Sequence, residues 1–305
     1  KPQATGTVGG ITTDQYRLNS SNIGLPTQSF SRNINGIAMD FEIVPVTLDD
    51  GFVTEEAPVP GNALSFLYKN DTKGFASKNT GYFLQFKQGT LVNEQFTITS
   101  QLPNTKYSIS DGNINNDDVF LFKLDQNNIL EEYWKKVPAI TGNNVIYNSL
   151  SKNITNQYAV VTKENDAIDL VFSDGTYGAM PVGNFVAYYR QSNGLSYRIQ
   201  TTDMQNVNVD LQYVSRDNQV NTMTITMSLQ NTVTNAAASQ SISDIRTLAP
   251  QSYYTNNRMI SPEDYQIVPL IENPSLVKAR SQVRAISGTS RFLDVTDPSG
   301  VYSET

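Results

Sequence analysis

The sequence contains neither cysteine nor histidine. Without cysteine the chain forms no disulfide, offers no thiolate to a metal ion and has no thiol nucleophile. Without histidine it lacks the commonest general base of enzymes, which excludes the Ser-His-Asp triad and histidine-ligated zinc sites. These two absences remove much of enzyme chemistry, although an enzyme that uses carboxylates alone, such as a glycoside hydrolase, stays open.

Long apolar runs and an excess of positive charge are also missing. No stretch of about 18 apolar residues occurs, and the start does not resemble a signal peptide. The 22 Lys and Arg residues against 29 Asp and Glu residues give a net charge of −7, which provides no general attraction to phosphate backbones or anionic lipids. We therefore expect neither nucleic acid nor a membrane as a partner.

The residues that are present favour strands. In "GIAMDFEIV", from Gly36 to Val44, apolar and polar residues alternate, as in a strand with one buried face. The segments "GYFLQFK", "EQFTITS" and "DVFLFKLD" are similar. The alternating runs from Val207 to Tyr213 and from Met223 to Leu229 predict an antiparallel hairpin, since a short polar link joins them.

Helix signals come late in the chain. Ser241 begins a helical pattern that Pro250 should end. Ser261 and Pro262 precede two acidic residues, which is typical of a capped helix start, and Pro269 should stop or kink that helix. The run "LVKARSQVRAI" then returns to alternation and predicts a strand whose polar face carries the basic residues Lys278, Arg280 and Arg284.

We predict a mainly β, multi-domain protein of antiparallel β modules with a small, late α+β part. A chain of 305 residues exceeds the usual domain size of about 100 to 150 residues. We expect an extended lead-in segment at 1–35, a β-rich domain at 36–130, a second β domain at 131–235 and a helix-strand assembly domain at 236–305.

Several patterns admit both a functional and a structural interpretation. Asp111, Asn113, Asn115 and Asp117 have calcium-loop spacing, but the turn glycine and the closing glutamate are missing, so a solvated turn is favoured. Adjacent acids, such as Glu55 with Glu56 and Glu131 with Glu132, would point to opposite faces of a strand, which favours solvated side chains over a glycosidase pair. Three aromatic residues are candidates for sugar stacking, although strand aromatics usually pack in a core: Trp134, Tyr188 and Tyr189.

The basic residues of the late strand form the main candidate contact surface. On an acidic chain, Lys278, Arg280 and Arg284 suit an acidic protein partner, including another copy of the same chain. The alternative is a solvent-facing strand whose charges prevent edge pairing.

The stretch "FSDGTYGAMPVGNF" is rich in glycine and lies between two strand patterns. Asp174-Gly175 favours a turn, Gly178 and Gly183 tolerate a positive φ, and Pro181 stiffens the return, so we predict a shaped hairpin connection without a ligand.

The same stretch resembles the first signature of the baseplate J-like family of contractile tails. The matching residues are Phe172, Asp174, Gly175, Gly178, Pro181 and Gly183. A second signature of that family resembles the helical region around Pro250, Arg258, Asp264 and Tyr265, and the two occur in the family's order. The resemblance covers about residues 130–305, and the closing "RFLDVTDPSGVYSET" is similar to the baseplate wedge proteins of T-even-type bacteriophages.

The resemblance implies a structural protein of the virion that is not an enzyme, with no catalytic residues, no metal and no other cofactor, which is consistent with the missing histidine and cysteine. Family members form homodimers, join other baseplate wedge proteins into a ring around the tail hub, and rearrange when the sheath contracts. It also implies assembly in the host cytoplasm and, since the chain opens on Lys1, a C-terminal fragment of the wedge protein. A carbohydrate-binding, β-rich adhesin of a phage tail is the alternative.

Overall fold

The computed structural model describes residues 1–19, 27–49, 51–59, 63–140, 156–175, 178–234, 241–255, 261–272 and 278–281. The described chain is mainly β, with several antiparallel sheets and its helices late in the sequence, which confirms the predicted fold class. Two compact units divide the chain, one of residues 1–236 and one of residues 237–305.

The first unit contains all the strands that the structure assigns. In chain order they are β1 Ala4–Val8, β2 Ile11–Asn19, β3 Gln28–Ile34, β4 Ile37–Ile43, β5 Val46–Asp49, β6 Phe52–Glu55, β7 Ala63–Asn70, β8 Gly81–Phe83, β9 Phe86–Gln88, β10 Thr90–Ile98, β11 Lys106–Ile109, β12 Ile114–Leu124, β13 Leu130–Lys136, β14 Gln157–Thr162, β15 Ile168–Phe172, β16 Gly183–Gln191, β17 Val207–Val214 and β18 Val220–Met227. A short 3-10 turn, Glu164–Asp166, precedes β15.

The largest sheet has seven strands in the order β10-β16-β12-β13-β14-β15-β11, and only the β13–β14 pair is described as parallel. Its strands contribute side chains to one apolar cluster. The sheet curves so far that its two outer strands meet through their side chains: the ring of Phe96 on β10 stacks on that of Tyr107 on β11 at 3.8 Å. Trp134, Phe172 and Phe185 fill the interior with rings 5.4–6.1 Å apart.

The connection from β15 to β16 differs from the predicted hairpin. β15 pairs with β14 and β11, whereas β16 pairs with β10 and β12. The glycine-rich stretch therefore passes between strands on different sides of the curved sheet. The pattern of apolar residues and turn residues resembles that of a hairpin because both strands face the same core.

The N-terminal region, predicted to be an extended lead-in segment at 1–35, instead forms part of the sheets and contains β1, β2 and β3. β1 and β2 belong to the four-stranded sheet β1-β2-β7-β8, and β3 belongs to the three-stranded sheet β3-β4-β9. Their polar composition hides the strands, since β2 buries Thr13 and Gln15 where apolar residues are expected. The Gln15 amide is satisfied by the Val46 carbonyl oxygen at 2.8 Å.

The predicted boundary at 130/131 lies inside one sheet. It falls at the start of β13, which pairs with β12 as a hairpin, and β12 also pairs with β16. The hairpin of β17 and β18 is confirmed, with Val207 opposite Met227. The single predicted strand "GYFLQFK" is instead divided into β8 and β9, which belong to different sheets.

The second unit contains two described helices, α1 Ile242–Thr255 and α2 Asp264–Glu272. Pro250 and Pro269 lie inside these helices and not at their ends. A proline removes one intrahelical hydrogen bond, but its φ is helical, so the chain can continue through it. The predicted capped start of α2 is present: the Ser261 N–H donates to Asp264 Oδ2 at 2.8 Å, and the Asp264 N–H donates to Ser261 Oγ at 3.2 Å.

Candidate functional site: an open aromatic groove

An open groove of about 1130 Å³ lies within the first unit. β2 and the segment from Ser77 to Leu84 contribute one part of its lining, and the β17–β18 hairpin with the residues after β18 contributes another. The residues that define the groove in the following discussion are Tyr16, Leu18, Phe30, Phe66, Lys78, Tyr82, Phe86, Gln205, Asn206, Met223, Ile225, Met227, Leu229, Gln230 and Asn231.

The alternation within the hairpin explains the apolar wall of the groove. Val207, Val209 and Leu211 of β17 are buried in the core of the first unit, whereas Met223 and Ile225 of β18 are only partly buried against it. The polar face is paired across the strands, since Thr224 Oγ1 donates to Asp210 Oδ1 at 2.6 Å. The outer strand thus presents half-buried methionine and isoleucine side chains to the groove.

Aromatic rings form much of the remaining surface. Phe30 and Phe41 stack at 5.4 Å, and Phe86 meets Phe30 edge-on at 5.8 Å. Nearer the opening, Tyr82 packs between Tyr68 at 5.1 Å and Tyr16 at 6.2 Å, although 69% of Tyr82 remains exposed. Burial, followed by the nearby Asp14 carboxylate, raises the pKa of Tyr16, so this hydroxyl stays neutral and can donate a hydrogen bond.

Amide side chains lie at the rim. Gln230 Nε2 donates to the Lys78 carbonyl oxygen at 2.9 Å and approaches Asn79 Oδ1 at 3.3 Å, which links the two sides of the groove. Within the described lining, Lys78 is the only lysine, arginine, aspartate or glutamate. The groove therefore offers apolar, aromatic and amide contacts but lacks a described carboxylate for acid–base chemistry.

The β7–β8 loop at this rim is held by one carboxylate. Asp71 accepts hydrogen bonds from the Ser77 hydroxyl, from Thr80 Oγ1 at 2.5 Å and from the Lys73 N–H at 3.0 Å. These hydrogen bonds, led by that of Ser77, lower the pKa of Asp71 to about 2. The loop is thus fixed from within, while the side chain of Phe75 is 90% exposed.

A buried cluster of charges lies elsewhere in the same unit. The guanidinium of Arg190 on β16 is 1% exposed and pairs with Glu42 on β4, and its Nε lies 3.3 Å from Asp118 Oδ2 on β12. Lys87 on β9 forms ion pairs with both Asp118 and Glu55. We call these five residues the Arg190 junction; they join the three-stranded sheet and β6 to the seven-stranded sheet.

The charges in the junction are unequal, with three carboxylates and two cations. Burial raises the pKa of Glu55, with the Lys87 hydrogen bond opposing this and the charge of Asp118 adding to it. Burial by itself would lower the pKa of Lys87, but its hydrogen bonds with Asp118 and Glu55 exceed that effect and raise it. Lys87 therefore remains positively charged between its two carboxylate partners.

The junction corrects the prediction that Glu55 and Glu56 are solvated. Glu56 forms an ion pair with Arg17, and the side chains of Glu55 and Glu56 are each only 17% exposed. The residues of the junction are far apart in sequence, so a pair of adjacent acids gives no sign of it. The available signal is a single arginine, Arg190, within the strongly apolar β16.

The residues of the first family signature lie in the β15–β16 connection and at the strand ends that it joins. Phe172 is fully buried, and Gly178 and Pro181 are also buried, whereas Asp174 is exposed. Gly175 and Gly183 have φ values of +92° and +111°, which fits the prediction of glycines chosen for backbone shape. These residues form a connection at the end of the curved sheet and belong to neither the groove nor the junction.

The second signature and the basic residues lie in the other unit. Pro250 and Tyr265 are exposed on α1 and α2, and Asp264 caps α2. Lys278 and Arg280 are exposed, but residues 278–281, the described part of the predicted strand, are assigned to no strand. Arg258 and Arg284 lie outside the described residues.

The remaining candidates have structural partners. Asp111 of the calcium-like pattern accepts a hydrogen bond from the Tyr189 hydroxyl at 2.6 Å, and no cluster of three or more acidic residues suited to a metal was found among the described residues. Trp134, Tyr188 and Tyr189 are buried in apolar clusters, so the sugar-stacking hypothesis is wrong for them.

No described helix has the length and apolar character needed to cross a membrane.

Comparison with known proteins identifies the family of the first unit. A family model described as Domain of unknown function (DUF8360) matches residues 1–232. The chain belongs to the DUF8360 family. No curated protein and no solved structure matches it. The DUF8360 match includes the whole groove, the Arg190 junction and the first signature, but it ends before α1 and α2.

Proposed function

We propose that this DUF8360 protein is a structural component of a phage tail baseplate wedge. It would act in the virion, at the tail baseplate, after assembly in the host cytoplasm. It would associate with itself as a homodimer and join other baseplate wedge proteins into the ring around the tail hub. The observation that carries the proposal is the pair of ordered signatures, one at Phe172 to Gly183 and one at Pro250 to Tyr265.

The architecture supports a mechanical role. The Arg190 junction connects separate sheets through buried ion pairs. Removing one partner of such a pair leaves the other charge buried and unpaired, which costs free energy, so the sheets resist separation. The groove provides recognition chemistry without a described acid–base pair. A baseplate ring that rearranges without falling apart requires subunits that are rigid and that bind their neighbours.

Immunogold labelling of particles of the encoding virus tests the proposal directly. Antibodies raised against this chain should label the tail baseplate in both extended and contracted particles. Labelling of the capsid alone, or particles that remain unlabelled while a known tail protein is detected, would contradict the structural role. A second test reverses the charges of Arg280 and Arg284, which should weaken wedge assembly and leave the circular dichroism spectrum unchanged.

The groove supports the carbohydrate-binding adhesin as the second candidate. Exposed Tyr82 beside Tyr16, with the amides of Gln205, Asn206 and Gln230 nearby, combines ring surfaces with hydrogen-bonding groups. On a glycan array, an adhesin would give hits that disappear with Tyr82→Ala but persist with Tyr253→Ala, an exposed tyrosine of the other unit. An array without hits would count against this candidate.

A further inference from the structure

Besides the β1–β2 turn, two turns lie at the same end of the four-stranded sheet β1-β2-β7-β8. Thr7 on β1 pairs with Thr12 on β2, and Thr12 pairs with Asn70 at the end of β7. The β7–β8 loop begins directly after Asn70, at this end of the sheet. The β5–β6 turn reaches the same end, because the position of a Cβ on Gly51 would lie 2.8 Å from the Thr7 carbonyl oxygen.

Each turn presents an exposed phenylalanine, and the charges beside the two rings are opposite. Phe52 is 72% exposed and pairs across the β5–β6 hairpin with the exposed residue Asp49. Phe75 is 90% exposed, and the same loop carries the exposed residues Lys73 and Lys78. We call Asp49 with Phe52 the acidic tip, and Lys73, Phe75 and Lys78 the basic tip.

The two tips are held apart in one copy of the chain. Thr7 and Asn70 are separated by one intervening strand, which places them about 10 Å apart at the usual strand spacing. The hydrogen bonds of Asp71 fix the basic tip, and the register of β5 and β6 fixes the acidic one. Turns whose backbone is already fixed lose less conformational freedom when a partner covers them, which favours binding.

We propose that the two tips are a self-complementary contact between two copies of this chain. A two-fold axis between the tips would bring the acidic tip of each copy against the basic tip of the other, so that one contact is made twice. The inference names the surface for the self-association included in the proposed function, but it does not depend on the assignment to a phage.

A second copy fits better than an anionic membrane. The chain has a net charge of −7, and the acidic tip lies beside the basic tip, so an anionic lipid surface would repel half of this surface. Another copy of the chain supplies both the phenylalanine and the opposite charge that each tip lacks. The contact also places the lysines of the basic tip at the interface between two acidic copies, which offsets the general repulsion between the copies.

Sedimentation velocity of the complete chain tests the contact. The acidic-tip variant is Asp49→Lys, and the basic-tip variant combines Lys73→Glu with Lys78→Glu. Because two attractions become repulsions in each variant, we expect the dimer dissociation constant to rise about tenfold or more. An equimolar mixture of the two variants should form mixed dimers, since each supplies the charge that the other has lost.

Asp49→Lys separates this contact from general charge repulsion. The variant makes the whole chain less negative, so general repulsion predicts stronger association, whereas the proposed contact predicts weaker association. Asp217→Lys in the exposed β17–β18 turn makes the same charge change away from the tips and should leave the dimer intact. Phe75→Ser should also weaken the dimer, whereas Leu102→Ser, at a side chain that is 60% exposed, should not.

Three results would overturn the contact. They are a monomer at every concentration of the unmodified chain, a dimer that survives both tip variants, and a mixture that remains monomeric. Binding to vesicles of phosphatidylserine and phosphatidylcholine that is lost with Phe75→Ser would favour a membrane instead. None of these results changes the immunogold labelling, so failure of the contact is distinguishable from failure of the baseplate assignment.

Discussion

The seven-stranded sheet and the groove region contain similar apolar residues but differ in how completely they bury them. In the seven-stranded sheet the outer strands meet, and residues such as Leu170 and Phe172 have no exposed surface. In the groove region the β17–β18 hairpin stands as a separate two-stranded sheet, and its residues Met223 and Ile225 are only partly buried. Alternating apolar residues therefore specify a strand. The pairing of the sheet edges determines whether the apolar face of that strand is buried or stays open to a partner.

The two regions also use charge differently. The Arg190 junction places its guanidinium away from water, where each remaining charge depends on its partner. At the rim of the groove, by contrast, Asp71 accepts the hydrogen bonds that stabilise the solvated β7–β8 loop. If this comparison holds, substitutions should have their largest effects at the junction, smaller ones in the cores and the smallest at the rim of the groove.

The largest effect is expected for Arg190→Met. The substitution removes the ion-pair partner of the buried Glu42 carboxylate and one of the two cations beside the buried Asp118 carboxylate, which should lower the free energy of unfolding by about 3–5 kcal/mol. Urea denaturation followed by circular dichroism measures the change. Arg17→Met is the matched control, because Arg17 forms a more exposed ion pair with Glu56, and it should cost about 1 kcal/mol or less. Equal losses for the two variants would contradict the special role of the junction.

Sequence alone predicts the strands of both regions better than their arrangement. The hairpin of β17 and β18 is predictable because a short polar link joins two alternating runs. The Arg190 junction is not, since its members come from β4, β6, β9, β12 and β16 and meet only after three sheets have assembled. The isolated arginine on β16 indicates a buried charge, but nothing nearby in the sequence identifies its partners.

A pair of leucine substitutions sharpens the contrast between closed and open apolar surfaces. Leu170→Ala removes a fully buried side chain from the closed core and should cost about 2–5 kcal/mol. Leu229→Ala acts in the groove, where the side chain is partly exposed and water can fill the space, so about 1 kcal/mol is expected. Denaturant midpoints with unchanged slopes measure both values. A loss at Leu229 as large as that at Leu170 would mean that the groove is closed in solution.

The connection between β15 and β16 shows a second limit of sequence reasoning. Turn residues and flanking strands were sufficient to predict a connection, and the positive φ of Gly175 and Gly183 agrees with its shape. They do not specify which strands pair, because both strands face the same core and a hairpin would give the same alternation. The sequence does not indicate the groove for a related reason: its aromatic residues come from separate sheets, and the pattern around each of them is that of a core residue.

The smallest effect is expected at the rim of the groove, with Asp71→Asn. The folded-state pKa of Asp71, about 2, lies below its ordinary value of 3.8. Its contribution to stability is therefore present above pH 3.8 and is lost as the pH falls to about 2. Hydrogen exchange should show protection of the Lys73 N–H that declines over this range, and Asp71→Asn should lower that protection near neutral pH. Asp125→Asn is the matched control, because Asp125 accepts similar backbone hydrogen bonds in the β12–β13 turn of the closed sheet. If Asp125→Asn loosened the β7–β8 loop equally, the rim would depend on the closed sheet and the two regions would not be independent.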